Sequence, residues 1–250
     1  MNKLGLFGFV IIIISILFAQ SYHGSSIAGL FDLPAFFIVF GGTVGAIFVQ
    51  TSSKQLFHAL TLLPKIFTAP NLSLREQSLK IQAWSQHSRQ HGLLSLEQIA
   101  GEQLDPFTKK GLSMLIDGSE QMILQDVLQQ DIDLESEHHE RSAQIYESMG
   151  GYSPTIGIIG AVLGLIQAMS YLDQPEKLGA GIAVAFLATL YGVGFANFIY
   201  LPIANKIRLQ YQFIALYKEM TLIGLLSIAH GDNSLLLKRR LHGYIDRASY

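Results

Sequence analysis

Between Ser153 and Pro202 the chain carries two apolar runs separated by one short polar turn. No Lys, Arg, Asp, Glu or His occurs from Pro154 to Leu172, nor again from Leu178 to Ala204. Each run is close to the ~20 residues that an α-helix needs to cross a hydrocarbon layer. The residues between them, Asp173 to Lys177, leave room only for a tight connection, which predicts an antiparallel transmembrane hairpin. Small residues punctuate both runs: Gly157, Gly160 and Gly164 in the first, Gly179, Gly181, Gly192 and Gly194 in the second. Within lipid, packing rather than hydrophobicity drives helix association, and small residues let backbones approach. The hairpin is built to be surrounded by other helices.

Composition agrees with a membrane protein. Half of the 250 residues are hydrophobic and only 14% are charged, with a mean hydropathy of +0.34, too apolar for an ordinary soluble domain of this size. The net charge of −2 and the lack of a basic, aromatic-interleaved patch give no footing for nucleic acid. Cysteine is absent, which excludes disulfides, thiolate metal sites and Cys nucleophiles. His138-His139 is the only adjacent histidine pair. It lies in an acidic, helix-like run and is read as a solvated helix face rather than a metal site.

Two further apolar runs open the chain, Leu4 to Ala19 and Leu33 to Val49. The first is read as a membrane helix rather than a cleaved signal, because Leu17 spoils the small-x-small pattern before Ala19. The second carries Gly41-x-x-x-Gly45, another small-residue contact face. Four crossings are therefore expected. Of the 17 Lys and Arg residues, all but Lys177 fall outside the two connections that share a side. By the positive-inside rule both termini and the central segment are then cytoplasmic.

The expected organisation is all-α: residues 1–52 a first transmembrane hairpin, 53–152 a cytoplasmic helical segment, 153–204 the second hairpin and 205–250 a cytoplasmic helical tail. Within the centre, helices are expected over Leu56 to Phe67, broken by Pro70 to Leu74, then over Leu74 to Gln90 and Pro106 to Ile116. A long acidic helix follows from Ser119 to Met149. Gly92, Asp105-Pro106 and Asp117-Gly118 mark turns. The tail continues the fourth helix over Asn205 to Ile228 and ends, after Gly231, in a basic amphipathic helix from Leu235 to Ile245.

No nucleophile elbow, phosphate loop, HExxH or paired-carboxylate motif is present, so nothing points to an enzyme, a cofactor or a resident metal. Inside the membrane runs the polar groups are Thr155, Gln167, Thr189, Tyr191 and Asn197. Gln167 and Tyr191 are open to two readings, interhelical hydrogen bonding or a direct part in an ion path. Such a path needs an intramembrane acid or an oxygen-lined cavity. The runs hold no acid, so any conducted ion requires a carboxylate from a partner helix. Ser153-Pro154 suits a helix start, where Pro replaces an orphan N–H. Pro202 should remove the bond to the Phe198 carbonyl and either kink the helix as a hinge or end the span.

The segments Pro154–Leu165, Ala183–Gly192 and Leu201–Lys206 resemble the MotA/PomA flagellar stator subunits of the MotA/TolQ/ExbB superfamily. The likeness extends over nearly the whole chain, including Phe40-Gly41-Gly42-Thr43 at the first hairpin. The resemblance implies a homopentamer around two copies of a MotB/PomB-like partner whose single helix carries the ion-binding aspartate. It places the complex in the bacterial inner membrane, with ion flow turning the ring against the rotor switch protein FliG. Pro154 and Pro202 match the two prolines near the ion path, with Thr155, Ala161, Thr189 and Tyr191 along it. Arg89 and Glu97 match rotor-contacting charges, whereas Gln90, Gln98 and Ala100 stand where PomA-like members carry further charge. Ala161 and Thr189 correspond to two threonines that help sodium coordination in the sodium-type branch. The methyl of Ala161 removes one oxygen, which favours protons over sodium. Alternatives are a sodium-driven PomA-type stator, an ExbB/TolQ-like energiser of outer-membrane transport, and an inert membrane scaffold.

Overall fold

The computed structural model describes residues 3–22, 27–68 and 72–247. Among them every regular element is helical, as the sequence predicts. The helices are α1 (Lys3–Tyr22), α2 (Leu33–Gln50), α3 (Ser53–Leu62), α4 (Leu74–His91), α5 (Glu97–Glu102) and α6 (Pro106–Ile116). Then follow α7 (Gln121–Met169), α8 (Pro175–Ala229) and α9 (Ser234–Arg247). Three of these, α2, α7 and α8, are long and apolar enough to cross a membrane.

Local chemistry explains the boundaries. Asp32 caps α2 by accepting from Ala35 N at 2.8 Å. Asp105 caps α6 through Phe107 N at 3.4 Å and Thr108 N at 3.1 Å, with Pro106 in the first turn. Gly92 closes α4 at φ +83°, a left-handed position that glycine adopts without a Cβ penalty. The helix expected from Leu56 to Phe67 starts earlier and stops at Leu62, with a 3₁₀ turn over Lys65–Phe67. Pro70 lies outside the described residues.

Two sequence expectations fail around Pro154. The acidic helix does not stop at Met149, and Pro154 is not a helix start: α7 runs unbroken for 49 residues with Pro154 inside it. An interior proline forfeits the hydrogen bond to the carbonyl four residues back, here Gly150. At this point α8 packs closely against α7. A Cβ on Gly192 would stand 2.6 Å from the Ser153 carbonyl oxygen and 3.2 Å from Pro154 Cα.

Pro202 likewise does not end its helix. Just before it, Ala196–Tyr200 form a π-turn, in which Leu201 N–H reaches back to the Ala196 carbonyl. Such a widened turn accommodates the missing donor while the helix runs on to Ala229. A second π-turn, Phe37–Gly41, interrupts α2.

The chain divides into two compact units, residues 1–69 with 140–208, and residues 70–139 with 209–250. The first unit has two small cores. Ala35, Val39 and Ala188 form one; Ile47, Ala59, Leu62, Tyr146, Ala204 and Ile207 are among the residues of the other. The second unit has a larger core in which Ile81, Leu96, Leu112, Leu124, Leu128, Met220, Leu225, Leu237 and Leu241 are buried. One buried amide, Gln77, is satisfied there by Thr221 Oγ1 at 3.1 Å and Thr108 Oγ1 at 3.5 Å, as a buried polar group must be.

Candidate functional site

The two apolar halves of the hairpin, in α7 after Ser153 and in α8 before Ala196, pack backbone against backbone. A Cβ on Gly164 would lie 2.8 Å from Ala185 N and 2.9 Å from the Gly181 carbonyl oxygen. One on Gly160 would lie 2.7 Å from Ala188 Cβ, and one on Gly157 2.8 Å from the Ala188 carbonyl oxygen. The order of contacts reverses along the two helices, which is the antiparallel arrangement the short connection predicts. Gly179 and Gly194, by contrast, make no close approach to another helix; Ala168, Ala185 and Ala188 take part instead.

Tyr191 acts as an interhelical tie. Its hydroxyl donates to the Leu30 carbonyl at 2.5 Å and accepts from Asp32 N at 2.9 Å. It thereby joins α8 to the chain that enters α2. Thr155 donates to the Tyr152 carbonyl at 2.8 Å and Thr189 to the Ala185 carbonyl at 3.2 Å. Ala161 and Thr189 each follow a member of the touching pair Gly160 and Ala188, so they share one level of the hairpin. Pro154 is half-buried, whereas Thr155, Gln167, Asn197 and Pro202 are exposed. Beside them stand the exposed Ile158, Ile159, Val162 and Ile166 of α7 and Ile182, Phe186, Leu190 and Val193 of α8.

The other candidate positions lie in the second unit. Arg89 and Glu97 are both exposed, and Arg89 donates to the Gly231 carbonyl at 3.4 Å. Gln90 and Gln98 are exposed, whereas Ala100 is 4% exposed within the core. A charge at position 100 would have to be buried here, so the alanine serves packing. Glu102 is exposed and accepts from Gln98 Nε2 at 3.2 Å.

The acidic stretch of α7 is less solvated than its composition suggests. Arg208 Nη2 reaches Glu140 at 2.8 Å and Glu147 at 2.5 Å, in the first unit. Hydrogen bonds from Arg208, and then its charge, hold the Glu140 carboxyl below the usual range against a partial desolvation penalty. Arg208 in turn is pushed above its usual value, first by its hydrogen bonds to Glu140. In the second unit Lys218 pairs with Glu135, and Lys110 with Asp131 at 2.6 Å. His138 is exposed, but His139 is 7% exposed, stacked on Tyr211, with Nδ1 2.7 Å from the Glu135 carbonyl oxygen. The solvated-face reading therefore fails for His139. The Arg208 and Lys218 pairs join α7 to α8 and the Lys110 pair joins α6 to α7, so each becomes visible in the sequence only once the helices are paired.

Comparison with known proteins places this arrangement. Residues 100–220 match the family model of the MotA/TolQ/ExbB proton channel family. Motility protein A of Bacillus subtilis (strain 168) is 30% identical over 98% of this chain and 91% of its own length. The structure of C. jejuni MotAB superposes with a TM-score of 0.92 at 26% identity, covering 98% of this chain and 96% of that one. The flagellar MotAB stator complex from Bacillus subtilis gives 0.88 at 29% identity, covering 98% of each chain. The chain belongs to the MotA/TolQ/ExbB proton channel family of membrane proteins. Within it, the chain is a flagellar stator subunit of the MotA/PomA type.

Proposed function

We propose that this chain is the ring-forming subunit of a proton-driven stator, a homopentamer around two copies of a MotB/PomB-like partner. The carrying observation is a close-packed, small-residue hairpin with no Lys, Arg, Asp, Glu or His in either apolar run. A moving ion needs a charged or oxygen-rich station inside the membrane, so the carboxylate comes from the partner. The apolar residues exposed on α7 and α8 give the partner and neighbouring copies a face to cover. In this reading α1 is a fourth crossing in the inner membrane, and both termini and residues 53–152 are cytoplasmic. Pro154, Thr155, Ala161, Thr189, Tyr191 and Pro202 border the ion path. Arg89 and Glu97 meet the rotor protein FliG.

Protons are favoured because Ala161 offers no oxygen, which leaves the Thr189 hydroxyl as one side-chain oxygen where the sodium-type branch has two. Sodium sheds its water only where several oxygens replace that shell, whereas a proton needs one carboxylate and a file of water. The test is swimming speed in sodium-free medium at constant proton motive force, in cells whose only stator contains this chain. Undiminished swimming is expected. Arrest that sodium reverses would assign the sodium-driven mode. Loss of motility in neither medium on deletion of the chain would remove the stator reading itself.

A further inference from the structure

We propose that His87 and His91 form a surface site for a divalent transition-metal ion of the zinc, nickel and copper class. The two residues sit four apart at the C-terminal end of the 18-residue α4, so both rise from one strip of the helix. Their ring centroids are 4.7 Å apart, with planes inclined by 30°. His91 is exposed and His87 partly so.

The hydrogen bonding of His91 prepares it for ligation. Its Nδ1 lies 3.3 Å from the His87 carbonyl oxygen. A ring nitrogen facing a carbonyl carries the proton, so Nδ1–H donates and Nε2 is left with a free lone pair. Metal-ligating histidines are held in the same way, the second N–H fixed on a carbonyl or carboxylate. Imidazole nitrogen selects zinc, copper and nickel over the hard cations. Two histidines at this spacing on one helical face can share a single ion.

The surroundings favour a cation. The last turn of a helix carries partial negative charge on its free carbonyls. Arg89, between the two histidines in sequence, points to the other side of the helix at about 100° per residue, and its guanidinium is engaged with the Gly231 carbonyl. Among the described residues no group of three or more His, Asp or Glu could hold a metal. The site therefore supplies two nitrogens and leaves the remaining positions to water. Such a site is open and reversible, not a structural centre. A bound ion would clasp the final turn of α4, immediately before the Gly92 turn that leads to Glu97.

The test is calorimetric titration of the tag-free, full-length protein in detergent, freed of metal by a chelator, with zinc chloride and nickel chloride. One saturable site per chain is expected. Its affinity should fall about tenfold or more in His87→Gln and His91→Gln, at least the loss that follows removal of a mere outer-shell partner. It should persist in His242→Gln, which alters an exposed histidine paired with Asp246 at 2.9 Å. Metal-free melting curves check folding; should His87→Gln perturb the fold, the exposed His91→Gln decides alone. No saturable binding by the unaltered chain, or binding unchanged in His91→Gln, would overturn the proposal.

Discussion

Gly157 and Gly192 meet face to face: a Cβ on the first would stand 3.2 Å from Cα of the second, and one on the second 3.0 Å from Cα of the first. The obstructing atoms are backbone, which cannot swing aside as a flexible side chain would. Gly192→Ala should therefore separate α7 from α8 and destabilise the hairpin by roughly 1–3 kcal/mol, the usual cost of overpacking. Gly179→Ala, with no neighbour within 4 Å, should be neutral. Thermal melting in detergent and accumulation in membranes compare the two; equal behaviour would refute the close crossing.

Removing the Tyr191 hydroxyl tests its role as a tie. Tyr191→Phe keeps the ring beside Phe195 but leaves the Leu30 carbonyl and Asp32 N–H without this partner. Both groups are only part-buried, so the expected loss is about 1 kcal/mol. Proteolysis at the connection before α2 should accelerate. A variant whose stability and proteolysis match those of the unaltered chain would refute the tie.

The Arg208–Glu140 pair gives a pH signature. The folded carboxyl is lowered from its ordinary value of 4.5, so its contribution is present above the unfolded pKa and disappears as pH falls through the folded one. The Glu140 side chain is 44% exposed, and solvent screening limits the pair to roughly 0.2–1 kcal/mol. The stability difference between the unaltered chain and Glu140→Gln should be constant near neutrality and shrink below about pH 4.5. A difference that grew on acidification would reverse the sign assigned here.

Charge reversal at Arg89 or Glu97 separates torque from folding. Both side chains are exposed, and exposed charges contribute little to stability, ~0–1 kcal/mol. Arg89→Glu and Glu97→Arg should lower torque in tethered-cell rotation while membrane levels stay unchanged. Loss of the protein from membranes would show the positions to be structural.

The fold was legible where one physical demand dominated. Charge-free runs of membrane length marked α2 and the hairpin, and Asp105-Pro106 announced the start of α6. Pro154 misled because local propensity favours proline at a helix start, whereas packing against Gly192 carried α7 straight through it. His139 misled for a related reason. A histidine in an acidic run looks solvated until Tyr211, 72 positions later in the sequence, is known to cover it. Among the site residues, the tie made by Tyr191 was foreseeable in kind, but its partners Leu30 and Asp32 were not. Their identity depends on which part of a distant connection reaches α8.

The two π-turns can also be seen as a record of sequence length. Along α2 the buried positions Ala35, Val39, Thr43 and Ile47 recur at every fourth residue, and around the second π-turn so do Gly192, Ala196, Tyr200 and Ala204. A regular helix, at 3.6 residues per turn, would drift off such a row. One extra residue per widened turn keeps the row in phase. Each helix thus holds the equivalent of a single-residue insertion, absorbed without disturbing the contacts on either side. Deleting one residue within Ala196–Tyr200 should convert that turn to ordinary α-helix, and a relative lacking the residue would be expected to lack the bulge while keeping the same neighbours.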